Sequence, residues 1–286
     1  MNVLITGGTG FIGAFLARRR LAQGDKVVIF DVAPNTKRIA DILTEVKVVQ
    51  GNLANASEVY NTVRDNGIHK ILHLGAMLSS PCEASPWAAL QVNVLGTVNV
   101  LEAARLFGQP QVVYTSTIST FGLHTGATVT DTTVQHPTTM YGCGKAFVEN
   151  LGRYYRSRFG VDFRCVRLSS VMGPGASSRQ ISQFNGIVQL PLSGKPFICS
   201  VTPDVKVHLF YCRSGEVPWA DKPVVCSPWL VSIIHRAWSP FVFRSIGLLV
   251  FRRLLANLEP HCPATIREDR QGSLRVLNST DGRGGD

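Results

Sequence analysis

Apolar and polar positions follow two rhythms along the first 170 or so residues. Short, nearly continuous apolar runs recur at Val3–Thr6, Lys26–Asp31 (KVVIFD), Val46–Gln50, Ile68–Leu74 (IHKILHL), Gln111–Ser116 and Val161–Leu168. Between them the apolar residues take helical spacing. A first helix carries Phe11, Ile12, Phe15 and Leu16, and others are predicted over Ser57–Asn66, Trp87–Phe107 and Met140–Arg158. Strands that alternate with helices imply βαβ units, right-handed crossovers and a parallel sheet covered on both faces. No internal repeat or low-complexity run interrupts the pattern.

The first strand runs into Thr6–Gly13, TGGTGFIG, which contains Gly8-x-Gly10-x-x-Gly13 and glycines at Gly7, Gly10 and Gly13. A strand before it and a helix after it give this motif its meaning. Glycines let the backbone turn tightly and approach a pyrophosphate, and the helix start, with Phe11 and Ile12, offers unpaired N–H groups and a partial positive charge. The chain therefore reads as an α/β protein on a Rossmann doubly wound parallel sheet that binds a dinucleotide. Asp31 ends the second strand 18 residues after Gly13. A carboxylate there accepts hydrogen bonds from a ribose 2′-hydroxyl and repels a 2′-phosphate, which favours NAD over NADP, although Lys37 and Arg38 lie nearby.

Tyr141-x-x-x-Lys145 lies on a predicted helix, where residues four apart share a face. A free tyrosine has a pKa of about 10, and an adjacent ammonium favours the phenolate, so this pair has the makings of an acid/base. Upstream, Val112–Gly122 reads VVYTSTISTFG, a strand ending in hydroxyls, and Pro137–Lys145 reads PTTMYGCGK. With His73–Ala76 (HLGA), Asn93 in VNVLGTVNVLEAA and Arg167–Gly175 (RLSSVMGPG), the ordering resembles the extended short-chain dehydrogenase/reductases, the NAD-dependent epimerase/dehydratase family, from Met1 to about Phe210.

The resemblance implies an NAD-dependent oxidation of a secondary alcohol. It makes Tyr141 the acid/base, Lys145 the residue that holds the nicotinamide ribose and tunes Tyr141, and Thr117 the hydroxyl that orients the substrate oxygen. It sets Leu53, Leu74, Gly75, Ala76 and Asn93 against the cofactor, and Ser79 and Ser170 with Thr117 against the substrate. Asn52 stands where many relatives have an aspartate at the adenine. Cys143, inside the catalytic segment, reads as a small packing residue. LGAMLSS, PTTMYG and SGKPFICSVTPDVKV look like the short-chain threonine-dehydrogenating branch, whereas VMGPG is similar to sugar-modifying members. The alternatives are thus a nucleotide-sugar epimerase or dehydratase, or a non-catalytic NAD-binding protein. The resemblance also implies a homodimer, with Trp87–Phe107 and Met140–Arg158 paired across a two-fold axis.

The expected division is a cofactor-binding domain over residues 1–170 and a smaller, irregular substrate lobe over 171–286, with 177–202 supplying most of the substrate pocket. After about Phe210 the resemblance stops. Pro218, Pro223, Pro228 and Pro240 interrupt the apolar clumps, and a proline inside a helix costs about 3 kcal/mol, so long helices are not expected. The reading here is a divergent or out-of-frame terminus, less ordered from about 211, with Gly272–Asp286 disordered.

Composition adds little. Hydrophobic residues make up 45% and charged residues 17%, which fits a sizeable core. The net charge of +10 is assigned to solvated helix faces, such as Arg18–Arg20 and the Arg153, Arg156 and Arg158 set, and not to nucleic-acid binding. Seven scattered cysteines without a CxxC pair suggest reduced thiols and no metal site. Because the first residues already read as a core strand and no long uncharged apolar run appears, neither a leader nor a membrane span is expected, and the setting is cytoplasmic.

Overall fold

The structure, a computed structural model, describes residues 1–108, 110–122, 129–130, 132–172, 209–211, 264–268 and 274–278. Strands β1 (Asn2–Thr6), β2 (Lys26–Asp31), β3 (Val46–Gln50), β4 (Lys70–His73), β5 (Gln111–Thr117) and β6 (Phe163–Leu168) form one sheet in the order β3-β2-β1-β4-β5-β6. Every neighbouring pair is parallel. Helices α1 (Phe11–Ala22), α2 (Ala56–Asp65), α3 (Ser79–Ala84), α4 (Pro86–Ala89), α5 (Gly96–Leu106) and α6 (Met140–Phe159) make the connections.

Alternate strand residues serve opposite cores. Leu4, Val28, Phe30, Ile71, Val112 and Tyr114 pack with α2, α5 and α6 through residues such as Val59, Leu101 and Val148. Val3, Ile5, Val27, Ile29, Leu72 and Val113 pack with Ala14, Leu16 and Ala17 of α1. Both faces are dry, which is why the strands read as continuous apolar runs without alternation. The strand order reverses between β1 and β4, so the loops after these two strands open the crevice where such sheets bind ligands.

One local expectation gains a detail and two change. The long helix predicted at Trp87–Phe107 is present and runs without a break from Pro86 to Leu106, with Leu90–Leu95 between α4 and α5 wound as a π-helix beside the loop after β4. Arg20 does not join a polar face. It is buried and pairs with the buried Asp25, which also takes the N-terminal ammonium at 2.8 Å, because β1 and β2 begin side by side there. Third, Leu274–Asn278 (β10), in the stretch expected to be disordered, pairs antiparallel with Ala264–Glu268 (β9). Alternating Leu274, Val276 and Ile266 suit a strand pair better than a linker. The remaining expectations for 177–202 and the terminus fall outside the described residues. Ser170–Met172 (β7) pairs in parallel with Leu209–Tyr211 (β8). The chain divides into two units, Met1–Gly175 with His208–Cys226, and Ala176–Val207 with Ser227–Asp286.

A buried polar chain ties β1 to β4 and to the helix beyond. Thr6 Oγ1 lies 2.7 Å from His73 Nδ1, His73 Nε2 lies 3.0 Å from Thr97 Oγ1, and Thr97 Oγ1 donates to the Asn93 carbonyl at 2.7 Å. Since the Thr97 hydrogen is committed to Asn93, His73 must donate from Nε2 and accept at Nδ1 from Thr6. The imidazole is therefore neutral, and burial, with Lys145 adding to it, pushes its pKa down to about 3.

A histidine neutral in the fold but basic when unfolded makes stability pH-dependent. The folded pKa lies below the unfolded value of about 6.5, so the unfolded chain takes up the proton first and stability falls as pH drops below 6.5. Between pH 6.5 and 5, above the ordinary carboxylate range, His73 should remove roughly 1–2 kcal/mol of unfolding free energy. Urea unfolding across that window should show the slope in the parent chain and a flatter one in His73→Gln. Equal slopes would place the effect elsewhere.

Candidate active site

The dinucleotide end is built where β1 stops. The chain turns through Gly7 at φ +64 and reaches α1 through the extended Gly10. A Cβ on Gly7 would stand 2.9 Å from the Cα of Gly75, and one on Gly13 would stand 2.4 Å from the Gly7 carbonyl oxygen. These contacts admit only glycine, and they bring the first turn of α1, with its unpaired N–H groups, down onto the loop. Thr6 Oγ1 also accepts the N–H groups of Leu74 (3.1 Å) and Gly75 (3.0 Å), which pins the loop after β4 to the end of β1. Phe11, Ile12, Leu74, Gly75 and Ala76 are all half-buried around this joint.

Asp31, at the end of β2, reaches back to the glycine loop. Its Oδ2 accepts the Thr9 hydroxyl at 2.6 Å and the Thr9 N–H at 3.2 Å, and Thr9 Oγ1 in turn accepts the N–H of Asn35 at 3.1 Å. The sequence reading missed Thr9, which orients the carboxylate. The residues present fit NAD: a glycine cradle that any Cβ would fill, a helix start beyond it, and a carboxylate at the end of β2. Asn52 is exposed and folds onto its own loop, its Oδ1 accepting the Ala54 N–H at 3.0 Å while its backbone N–H donates to Glu58 Oε2 at 2.6 Å. Leu53 is buried, with its Cδ1 2.8 Å from where a Gly75 Cβ would sit. The Asn93 amide is taken up by the backbone of Met77, accepting at 2.7 Å and donating at 3.0 Å, so it shapes the loop after β4 from behind.

The catalytic end is carried by α6. Thr139 caps it by accepting the Gly142 N–H at 3.0 Å, and Gly160 ends it in the left-handed region at φ 74. Tyr141 falls in the first turn and Lys145 one turn later. Lys145 is 2% exposed; its Nζ donates to the Thr115 carbonyl at 2.6 Å and lies 5.6 Å from the centre of the Tyr141 ring. Burial lowers the ammonium's pKa to about 8. Burial raises the Tyr141 phenol to about 12, with the Cys82 thiol adding to the rise. The expected downward tuning by Lys145 is thus overridden by desolvation, which penalises the phenolate.

Thr117 closes β5 and caps the 3₁₀ turn Ile118–Phe121, accepting the Ser119 N–H and donating to the Ser119 hydroxyl, each at 3.1 Å. Ser116 points the other way, onto the buried carboxylate of Glu149. Glu149 also takes the Arg167 guanidinium through both oxygens (2.7–3.1 Å) and the Gln135 amide at 2.8 Å. These contacts hold its pKa below the usual carboxylate range against burial. Sequence reasoning missed Glu149, although its place one turn after Lys145 on an otherwise apolar face was the available signal. Ser79 opens α3 and Ser170 opens β7, both half-buried. Cys143 is exposed and does not serve as packing: it faces outward from α6. Among the described residues no His/Cys/Asp/Glu cluster could hold a metal ion, and no helix is long and apolar enough to cross a membrane.

Residues 3–191 match the NAD dependent epimerase/dehydratase family, and the chain belongs to it. It is 34% identical over 230 residues to D-erythronate dehydrogenase of Cupriavidus necator, covering 75% of this chain and 69% of that protein. It is 31% identical over 220 residues to mitochondrial L-threonine 3-dehydrogenase of Bos taurus, covering 73% of this chain but only 57% of that protein. Among solved structures it resembles L-threonine dehydrogenase from Phytophthora infestans, with 34% identity, a TM-score of 0.63 and coverage of 74% and 68%. It also resembles the UDP-glucose 4-epimerase of Thermus thermophilus in complex with NAD, with 25% identity, a TM-score of 0.65 and coverage of 75% and 71%.

Removing the Asp31 carboxylate tests the cofactor end. Asp31→Ala should weaken NAD binding about tenfold or more and narrow the preference over NADP, since a hydrogen-bonded charged group is typically worth about 1.5–3 kcal/mol. Calorimetric titration with both cofactors reads this directly, and unchanged NAD affinity would remove Asp31 from the site.

Proposed function

We propose that this chain oxidises a secondary alcohol on a small hydroxy acid or hydroxy amino acid, with NAD as hydride acceptor. The reading rests chiefly on one observation: a buried lysine anchored to the end of β5 and lying within 5.6 Å of the Tyr141 ring, on a sheet whose other loops form a dinucleotide cradle. The identities with threonine and erythronate dehydrogenases support the substrate class.

In this reading Tyr141 takes the alcohol proton and Thr117 orients the alcohol oxygen. The Thr117 hydroxyl needs to give up only its 3.1 Å bond to Ser119 to do so. Lys145, charged at neutral pH, holds a ribose hydroxyl and favours the phenolate. NAD, when bound, supplies the hydride acceptor and a positive ring charge that lowers the Tyr141 pKa. Gly7, Gly10, Gly13, Phe11 and Ile12 hold the pyrophosphate, Asp31 the adenosine ribose, and Asn52, Leu53, Leu74, Gly75 and Ala76 line the rest, with Asn93 behind. Ser79 and Ser170 face the substrate.

A second reading, an epimerase that returns the hydride to the other face of a nucleotide sugar, is favoured by the likeness to UDP-glucose 4-epimerase. Absorbance at the reduced-nicotinamide band separates the two: net NADH should accumulate with threonine or erythronate and not with a UDP-sugar. Tyr141→Phe should lower turnover by a factor of about 100 or more while leaving NAD binding intact, and Lys145→Ala should damage both. Substantial turnover by the phenylalanine variant would reject Tyr141 as the base. No turnover with any of these compounds, alongside intact NAD binding, would favour the non-catalytic alternative.

The working form in this proposal is a cytoplasmic homodimer. Cys82, Cys143 and Cys165 are in no disulfide, which suits a reducing compartment. Phe147 (55% exposed) and Tyr154 (53%) fall on one outward stripe of α6, and Leu95 and Leu106 on another running through α5, apolar surface that a second copy would cover. Sedimentation should give twice the chain mass, and Phe147→Asp should halve it; a monomeric parent chain would defeat the idea.

A further inference from the structure

We propose that the ring of Tyr114 is the floor on which the Lys145 ammonium rests, which makes Tyr114 a positioning residue for the Lys145–Tyr141 pair. The inference rests on the catalytic reading of that pair. Tyr114 sits in the middle of β5, fully buried, with its ring centre 4.5 Å beneath Lys145 Nζ. The next residue's carbonyl, from Thr115, takes a hydrogen bond from the same nitrogen at 2.6 Å. One ammonium is therefore held by two consecutive residues of one strand, one through its backbone and one through its π face.

The ring is not free to turn away. His73 flanks it from β4 at 5.7 Å between centres and Phe163 from the β6 side at 6.0 Å, tilted by 31° and 32°. The three rings form a ladder across β4, β5 and β6, in which Tyr114 is in register with His73 and Cys165. The other groups around Lys145 compete weakly for the ammonium. Tyr141 on α6 is protonated, the Cys82 thiol on α3 is pushed up by burial, and His73 is neutral. Cys165 on β6 and the Glu149 carboxylate both favour the ammonium, but Glu149 is shared among Arg167, Ser116 and Gln135. A buried cation with few counter-charges gains most from a negative ring face, which is where cation–π attraction is strongest.

The Tyr114 hydroxyl plays no part in this. It is buried and has no hydrogen-bond partner among the described residues. The ring and the hydroxyl therefore separate cleanly by substitution. Tyr114→Phe keeps the ring and removes an unpaired polar atom, so it should raise the melting temperature and leave Lys145 unmoved. Tyr114→Met keeps apolar bulk but removes the ring face.

The test is the titration of Lys145 by NMR in the full, cofactor-free chain labelled with ¹³C-lysine, its signal assigned by loss in Lys145→Met. The parent midpoint should fall at about 8 and hold in Tyr114→Phe. In Tyr114→Met it should drop by about 0.5–1.5 pH units, the amount that a desolvated cation–π contact is worth. Should the methionine variant not fold, a progressively fluorinated phenylalanine at 114 keeps the volume while draining the ring face, and the midpoint should step down with each fluorine. A midpoint that ignores both the methionine and the fluorination overturns the proposal. Because the readout is the lysine itself, it stands whether or not Tyr141→Phe abolishes turnover, so failure of the catalytic reading and failure of this one show up in different experiments.

Discussion

One hydroxyl, that of Thr6, joins the two loops from which the cofactor end is made. It accepts two backbone N–H groups from the strand-β4 side and spends its single hydrogen on His73. That commitment fixes every later link: His73 must donate to Thr97, Thr97 must donate to Asn93, and the Asn93 amide closes on Met77, four residues beyond His73 in the chain. The bonds form one connected chain through the buried Thr6, His73, Thr97 and Asn93, so its members cannot be exchanged one at a time. A residue at position 6 without a hydroxyl would strand two amides and a ring nitrogen, at about 1–3 kcal/mol each, against a total folding margin of about 5–15 kcal/mol. Gly7 can lie against Gly75 because this joint holds the two backbones together.

The catalytic end is organised by charge. Glu149 gathers Ser116 from β5, Arg167 from β6 and Gln135 from the approach to α6, and Arg167 lays its guanidinium 4.8 Å from the centre of the Phe121 ring. Ser116 precedes Thr117, and Glu149 follows Lys145 by one helical turn, so this buried pair fixes the strand end and the helix relative to each other. Buried ion pairs often add little net stability, but losing one partner leaves an uncompensated charge that costs about 3–5 kcal/mol. Such an arrangement tolerates few alternative geometries, which suits a site where the hydroxyl and the phenol must face one substrate oxygen.

Much of this was legible in the sequence, for identifiable reasons. Strands buried on both faces betray themselves as unbroken apolar runs, and TGGTGFIG can only be a turn between strand and helix. Tyr141 and Lys145 were legible through helical spacing. What could not be read was direction. Asn52 turns onto its own loop, Asn93 takes up the backbone of Met77, Arg20 turns inward to meet Asp25, and Glu149 is a buried carboxylate whose hydrogen-bond partners lie 14 to 33 residues away. Sequence spacing predicts which face a residue shares, but not whether a distant partner has reached that face first.

The ionisation of Tyr141 also depends on tertiary context, and here desolvation outweighs proximity. Holding the phenol at about 12 places the phenolate roughly 7 kcal/mol uphill at neutral pH. In the cofactor-free site the phenol therefore rests protonated, and a nearby cation typically recovers one to three pH units, so the positive ring of bound NAD acts together with Lys145 to bring the phenolate within reach. The cofactor-free pocket therefore does not hold a preformed base. It stores a phenol whose proton is costly to remove in isolation and whose charge, once formed, has an ammonium one helical turn away. The Lys145 charge must then be kept in place by something that does not neutralise it. A carbonyl and an aromatic face meet that condition, whereas a carboxylate would compete with the developing phenolate for the same cation. The position of Glu149, turned away from Lys145 and occupied by Arg167, fits this requirement.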